Sequence, residues 1–308
     1  MFDVLSITSP IFIIIFIGYV ATRLNFFERT EIRGLGIFVI KLALPALIFR
    51  SLSQRSLAEI FNPNFLVIYA VASLSIFALM FVLARTLGNK TVTESALHAL
   101  GSSISNSGFI GYPVAALVLG PTAVVALAMA MIVENIVMIP LALVLAEGSG
   151  NEGKTLATVV RDVTRRLVGN PLIIAIVAGV LFSLSGLKLP APLFRVVDML
   201  AMASGAVALF VVGGTLVGLR VRGLLSDVRR IVFGKLILHP AAVFVALLFV
   251  PAIDPNLKKA MLIFASAPMI TIYPLLGLSY GQEDVCAASL MVATTLSFVT
   301  ISALLLVL

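Results

Sequence analysis

The sequence predicts an all-α polytopic membrane protein: ten transmembrane helices in two inverted five-helix repeats, with helices 4 and 9 broken and crossing. Three observations predict it. Hydrophobic residues make up 61% of the 308 and charged ones 11%, with a mean hydropathy of +1.17. A soluble domain has roughly 45–50% apolar and about 25% charged residues. Apolar runs near the ~20 residues needed to cross a bilayer recur along the whole chain. Two of them contain loop-like signals at their middle, N-S-G-F-I-G-Y-P at Asn106–Pro113 and A-P-M-I-T-I-Y-P at Ala267–Pro274.

In order, the runs fall at 4–22, 35–53, 64–86, 95–118 and 121–145, then at 169–187, 193–219, 229–250, 257–279 and 284–307. The start, Met-Phe-Asp, lacks a basic segment, so the first run reads as a retained span and not a cleaved signal peptide. The loop 147–167 carries Glu152, Lys154, Arg161, Asp162, Arg165 and Arg166. It reads as a cytoplasmic linker between a first repeat (1–146) and a second (168–308).

Basic residues orient the spans. Arg50, Arg55, Lys188, Arg195, Lys258 and Lys259 fall on the side of the termini. Arg23, Arg29, Arg33, Lys41, Arg85, Lys90, Lys154, Arg161, Arg165, Arg166, Arg220, Arg222, Arg229, Arg230 and Lys235 fall on the other. The positive-inside rule makes the richer side cytoplasmic and both termini extracytoplasmic. The net charge of +7 therefore reads as topology and not as a nucleic-acid footprint, since no recognisable nucleic-acid-binding module is present. One cysteine, Cys286, excludes an internal disulfide and a multi-cysteine metal site.

The halves match at one offset. Pro171 lies 161 residues after Pro10, and the same step takes Gly18 to Gly179, Phe49 to Phe210 and Tyr112-Pro113 to Tyr273-Pro274. It also takes Leu117 to Leu278 and Gly120 to Gly281. Five spans per half is an odd number, so the second half is inverted. Matched breaks in inverted halves are the best sequence-level pointer to a transporter's binding site.

Within the first break, Gly108 and Gly111 loosen the backbone and Pro113 lacks an N–H. Asn106 and Ser107 offer partners to backbone groups that a break leaves unpaired. Proline suits a first helical turn, so Pro113 and Pro274 are expected to start the second half-helices. Two half-helix starts converging near the midplane, each with free N–H groups and about +0.5 charge, would favour a carboxylate. No Lys or Arg lies deep in span 4 or 9, so the expected cradle rests on backbone. The substrate-binding set is Asn106, Ser107, Gly108, Gly111, Tyr112, Pro113, Pro268, Met269, Thr271, Tyr273 and Pro274. Ser107 and Thr271 are its hydroxyl donors, while Met269 and Tyr273 either line the pocket or pack against apolar neighbours.

The chain resembles the auxin efflux carrier family, which has bacterial members and includes the plant PIN-formed carriers. The residues that carry the resemblance are N-S-G-F-I-G-Y-P-V (106–114), L-A-L-P-A-L-I-F (42–49) and G-N-P-L-I-I-A-I-V-A-G (169–179). The stretch from Ala267 through S-Y-G-Q-E-D (279–284) to A-T-T-L-S-F-V-T (293–300) adds to them. The resemblance implies helices 4 and 9 crossing at their prolines in a fold related to the bile-acid symporters. It implies an elevator with a scaffold (spans 1, 2, 6, 7) and a transport domain (spans 3–5, 8–10). It also implies a homodimer, a plasma membrane location (the inner membrane in bacteria), and a small organic anion as substrate, a mono- or dicarboxylate or an auxin-like weak acid. The plant carriers' long central loop is replaced here by about twenty residues, which argues against plant-style regulation and auxin. No cofactor is expected, only coupling to a proton or sodium, or none.

Glu134 lies at membrane depth, where an ionisable group is expensive and by default functional. It reads as a proton carrier or sodium ligand with Asn106 or Asn135 as neighbours, or else as a protonated side chain bonded between helices. His239, before Pro240, suits proton handling or simply bonds a freed carbonyl. Lys41 and Arg50 read as flanking span 2 and snorkelling to the interfaces, and His98 and Asp198 as boundary residues. Gly214 and Gly218 mark a close helix contact or a dimer seam. Rival classes find little support: there is no H-E-x-x-H, no G-x-S-x-G and no P-loop. A symporter of a bulkier anion, an anion channel and a membrane receptor remain the alternatives.

Overall fold

A computed structural model of the chain describes residues 2–55, 61–148, 161, 165, 168–187, 189–218, 225–250 and 253–308. Most of the predicted linker 147–167 lies outside the described residues, as do Lys188, Arg220 and Arg222.

Every described element is helical. The helices are α1 (Phe2–Arg23), α2 (Arg29–Leu52), α3 (Pro63–Thr86), α4 (Val92–Ser103) and α5, in which a π turn Ser107–Gly111 runs into Tyr112–Leu119. They continue as α6 (Thr122–Glu147), α7 (Pro171–Ser185), α8 (Ala191–Thr215), α9 (Leu225–Leu248), α10 (Pro255–Ser266), α11 (Tyr273–Leu278) and α12 (Glu283–Val307). Six of them (α2, α3, α6, α8, α9 and α12) are long and apolar enough to cross a membrane. A multi-pass membrane protein follows. On α7 the side chains of Ile174, Val177, Leu181 and Leu184 are each more than half exposed. At helical spacing they form one apolar stripe, suited to lipid.

Entry into the helices follows local rules. Asn62, Asn170 and Asp254 each precede a proline and cap the helix it opens. Their side-chain oxygens accept from Phe65 N–H (3.0 Å), Leu172 N–H (2.9 Å) and Asn256 N–H (2.8 Å). Thr91 and Glu94 form a reciprocal capping box on α4.

Internal prolines shape the spans differently. Four helices widen into π turns, at Val39–Ala43, Ser107–Gly111, Val133–Met138 and Gly234–Leu238. Each ends two residues before a proline: Pro45, Pro113, Pro140 and Pro240. Proline has no N–H to give and its ring crowds the carbonyl four residues back, so the preceding turn opens by one residue. Each π turn holds a polar side chain, respectively Lys41, Ser107, Glu134 and Lys235.

In the packing, α1 and α2 lie against α8, and α2 also against α7. Separately, α3 packs on α4 and α9, α6 on α4 and α10, and α12 on α9 and α11. The α1–α8 contact is backbone-close: a Cβ at Gly18 would lie 2.1 Å from the Phe210 carbonyl oxygen, and one at Gly213 1.8 Å from that of Ile15. Gly214 meets Thr22 and Ile32 of the same chain, so it serves a contact inside the molecule, not a seam with another copy.

Two expectations for the spans need correction. The second span starts at Arg29, six residues earlier than the apolar run. Lys41 is therefore mid-helix on an exposed face and does not flank the span.

Candidate functional site

The site begins where α4 stops. Ile104 is extended and the chain re-enters a helix at Ser107, with Asn106 as its cap. Asn106 Oδ1 accepts from Phe109 N–H (3.3 Å), and its main-chain oxygen accepts from Ile110 and Gly111 N–H (3.1 and 2.9 Å). The second break spans the residues between α10 and α11. The two breaks touch directly: Asn106 N–H donates to the Pro268 carbonyl (2.7 Å) and Asn106 Nδ2 to Thr271 Oγ1 (2.8 Å). Interrupted helices leave backbone groups that the interior cannot hydrate. Here one break supplies partners for the other.

Side chains of an extended stretch alternate in direction. Asn106 reaches Thr271, while Ser105 and Ser107 face a polar chain on the opposite side. Ser107 Oγ donates to Glu134 Oε1 (2.5 Å). Tyr69 Oη lies 3.2 Å from the same oxygen and 3.1 Å from Ser105 Oγ. Lys235 Nζ donates to Ser105 Oγ (2.7 Å) and to the Ala265 carbonyl (2.9 Å), and lies 2.7 Å from His239 Nδ1. His239 Nε2 ends the chain 3.0 Å from Ser73 Oγ. Lys235 and His239 are both 0% exposed and Glu134 is 4% exposed. A buried ammonium and a buried carboxyl thus flank Asn106, joined by two hydroxyls. This geometry can hold opposite charges without solvent and pass a proton along hydrogen bonds.

On another side of α5 lies a cavity of about 680 Å³, lined by Arg50, Gln54, Tyr112, Ala116, Val124 and Asp198 among others. Arg50 and Asp198 form an ion pair across it, joining α2 to α8. Tyr112 sits some one and a half turns into α5, roughly 8 Å along the axis from its start. The cavity therefore stops just short of the crossing.

The sequence profile of the family described as membrane transport protein matches residues 4–305. A protein of Rhizobium meliloti (strain 1021) named "Putative malonate transporter" is 30% identical over 99% of this chain and 96% of its own length. An Escherichia coli (strain K12) protein named "Uncharacterized transporter YfdV" is 27% identical over 76% of this chain and 74% of its own. A Mus musculus protein named "Lysosomal cholesterol signaling protein" is 26% identical over 67% of this chain and 25% of its own. The chain belongs to the membrane transport protein family that includes the auxin efflux carriers.

In this family member, several residues singled out from sequence sit differently than expected. Pro113 does not start its half-helix: Ser107 does, and Pro113 follows one and a half turns later. Pro274 does lie in the first turn of α11. Gly108 and Gly111 are helical. Their role is close approach, since a Cβ would come within 2.8 Å of Met131 Cε at Gly108 and 2.6 Å of Phe264 Cδ1 at Gly111.

Met269 and Tyr273 are 0% exposed and line no cavity among the described residues. Tyr273 Oη instead donates to the Leu97 carbonyl (2.9 Å) over Gly101. Asn135 is not beside Glu134's carboxyl but bonds the Met131 carbonyl (2.9 Å) and Asn170 (3.1 Å). Glu134's neighbours are Ser107 and Tyr69, not Asn106. His98 is buried and not interfacial. Arg50 and Asp198, read as boundary residues, face one another.

Lys235 was missed altogether, counted as a cytoplasmic boundary charge. The signals available for it were its spacing of four to His239 and its place just ahead of Pro240.

Proposed function

We propose that the protein is a secondary transporter of small organic anions, mono- or dicarboxylates, bound where α5 and α11 begin. The observation that carries this is the pairing of Asn106 with Pro268 and Thr271. It brings two helix starts together in the interior, beside a buried cation. The N–H groups of a helix's first turn have no intrahelical partner, and the positive end of the dipole favours an anion. Lys235, held by Ser105 one residue away from Asn106, adds a full charge. The name of the Rhizobium meliloti relative is in keeping with a carboxylate substrate.

In this reading the chain is two inverted five-helix repeats with both termini extracytoplasmic. The start of α5 at Tyr112 and of α12 at Glu283 support the repeat, since Tyr273 and Thr122, which open α11 and α6, lie at the matching offset of 161. The packing of α1, α2, α7 and α8 on one another is that of a scaffold, with the remaining helices moving past it as an elevator. Glu134 is the coupling group. Lys235 already supplies the positive charge that a sodium ion would bring, so a proton is the preferred partner.

The test is uptake of labelled carboxylates by purified protein in liposomes, with pH and sodium gradients imposed separately. Asn106→Ala is expected to abolish uptake while folding persists. If no carboxylate is bound or carried under any gradient, the anion reading fails.

A further inference from the structure

We propose that Arg50 is the specificity-determining residue that receives the second carboxylate of a dicarboxylate. It would do so by exchanging Asp198 for the substrate. This rests on the reading of the crossing as a carboxylate site and adds to it a second anchor, outside the crossing and on a different pair of helices.

The cavity beside α5 is open enough to admit a small acid, and its walls are charged. Arg50 and Arg55 against Asp198 leave an excess of one positive charge, which favours anions over neutral solutes. Arg55 Nη2 is directed to the Pro121 carbonyl at 3.2 Å. Arg50 is different. Among the described residues its side chain is recorded only with Asp198, through Nη1 to Oδ1. A guanidinium carries five N–H donors in a planar fork suited to two carboxylate oxygens, so most of its donors remain for a visitor.

The ion pair is also exchangeable. The side chains of Arg50 and Asp198 are 30% and 35% exposed, and pairs this wet add little to stability because water competes for both charges. Replacing Asp198 by a substrate carboxylate therefore costs little, provided that water or Gln54, which lines the same cavity, takes over Asp198.

Position supplies the specificity. Arg50 and Tyr112 share the cavity, and Tyr112 is roughly 8 Å along α5 from its start. An acid with one carboxylate at the crossing can satisfy Arg50 only if it carries a second. A monocarboxylate leaves Arg50 with Asp198 and gains nothing from it.

The experiment measures KM for malonate and for acetate in proteoliposomes for wild type, Arg50→Gln and Asp198→Asn. Arg50→Gln is expected to raise the ratio of malonate KM to acetate KM at least tenfold. Asp198→Asn, which frees the guanidinium, is expected to lower that ratio severalfold. An unchanged ratio in Arg50→Gln, or an equal rise in both KM values, overturns the proposal while leaving the carboxylate site standing. If Arg50→Gln does not fold, Asp198→Asn decides alone: a ratio that stays or rises overturns it. Failure of wild type to carry either acid sinks the carboxylate reading itself, and the Arg50 role with it.

Discussion

Lys235 Nζ sits 2.7 Å from Ser105 Oγ, one residue before the Asn106 that ties the two broken helices together. A fully buried ammonium is thus fastened to the break itself. It has three acceptors (Ser105, His239 and the Ala265 carbonyl) and shares a hydrogen-bonded chain with Glu134. Cation, crossing and carboxyl behave as one unit.

Lys235→Met keeps the length of the side chain and removes its charge and donors. It strands three buried acceptors and leaves Glu134 without compensation. Breaking such buried ionic arrangements costs about 3 kcal/mol or more. We expect a fall of that size in unfolding free energy and loss of uptake. Adding Glu134→Gln should recover part of the stability but not the transport, because the two changes share a network and are not additive. Denaturation of the single and double variants in detergent checks this; strict additivity contradicts the shared network.

Glu134→Gln alone addresses coupling. The amide keeps a carbonyl oxygen for Ser107 and Tyr69 but cannot take up and release a proton at that position. Uptake by this variant is expected to lose its response to an imposed pH gradient. If the dependence on pH and on sodium stays as in wild type, Glu134 has no coupling role.

Two tyrosines 161 residues apart look alike in sequence and have different tasks. Tyr273 is buried and its hydroxyl is held by the Leu97 carbonyl. Tyr112 is half-buried and faces the cavity. Tyr273→Phe should cost about 1 kcal/mol for the lost hydrogen bond. Gly101→Ala should cost about 1–3 kcal/mol by overpacking, since its Cβ would fall 2.4 Å from Tyr273 Oη. Tyr112→Phe should leave stability within about 0.5 kcal/mol and change KM instead. Thermal unfolding and uptake kinetics on the three variants separate the roles.

The contrast shows which features the sequence could reveal. Apolar runs, the matched Tyr-Pro pairs and Glu134 at membrane depth are one-dimensional signals, and they led to the crossing. Arg50 and Asp198 are 148 residues apart and meet only because α2 packs on α8, so nothing local announced the pair. Lys235 was misplaced for a more specific reason. It follows Arg229 and Arg230, so it read as the last of a boundary cluster. The helix, however, begins at Leu225 and carries it nearly three turns inward. Its spacing from His239 was a legible hint, but spacing alone does not tell a buried lysine from one that snorkels.

Pro240→Ala tests whether the π turn positions Lys235. Proline in a helix interior costs about 3 kcal/mol relative to a residue that can complete the ladder. The turn Gly234–Leu238 exists because Pro240 cannot donate to it. Alanine restores the missing N–H and lets the turn relax to α geometry, which rotates Lys235 and His239 relative to Ser105 and Ser73. The expected result is a protein whose melting temperature is unchanged or higher and whose uptake falls at least fivefold. Such an outcome, a helix improved and a carrier impaired, would not arise if the proline were only a defect tolerated by the fold. Retention of full uptake together with the gain in stability would show that Lys235 needs no help from the widened turn.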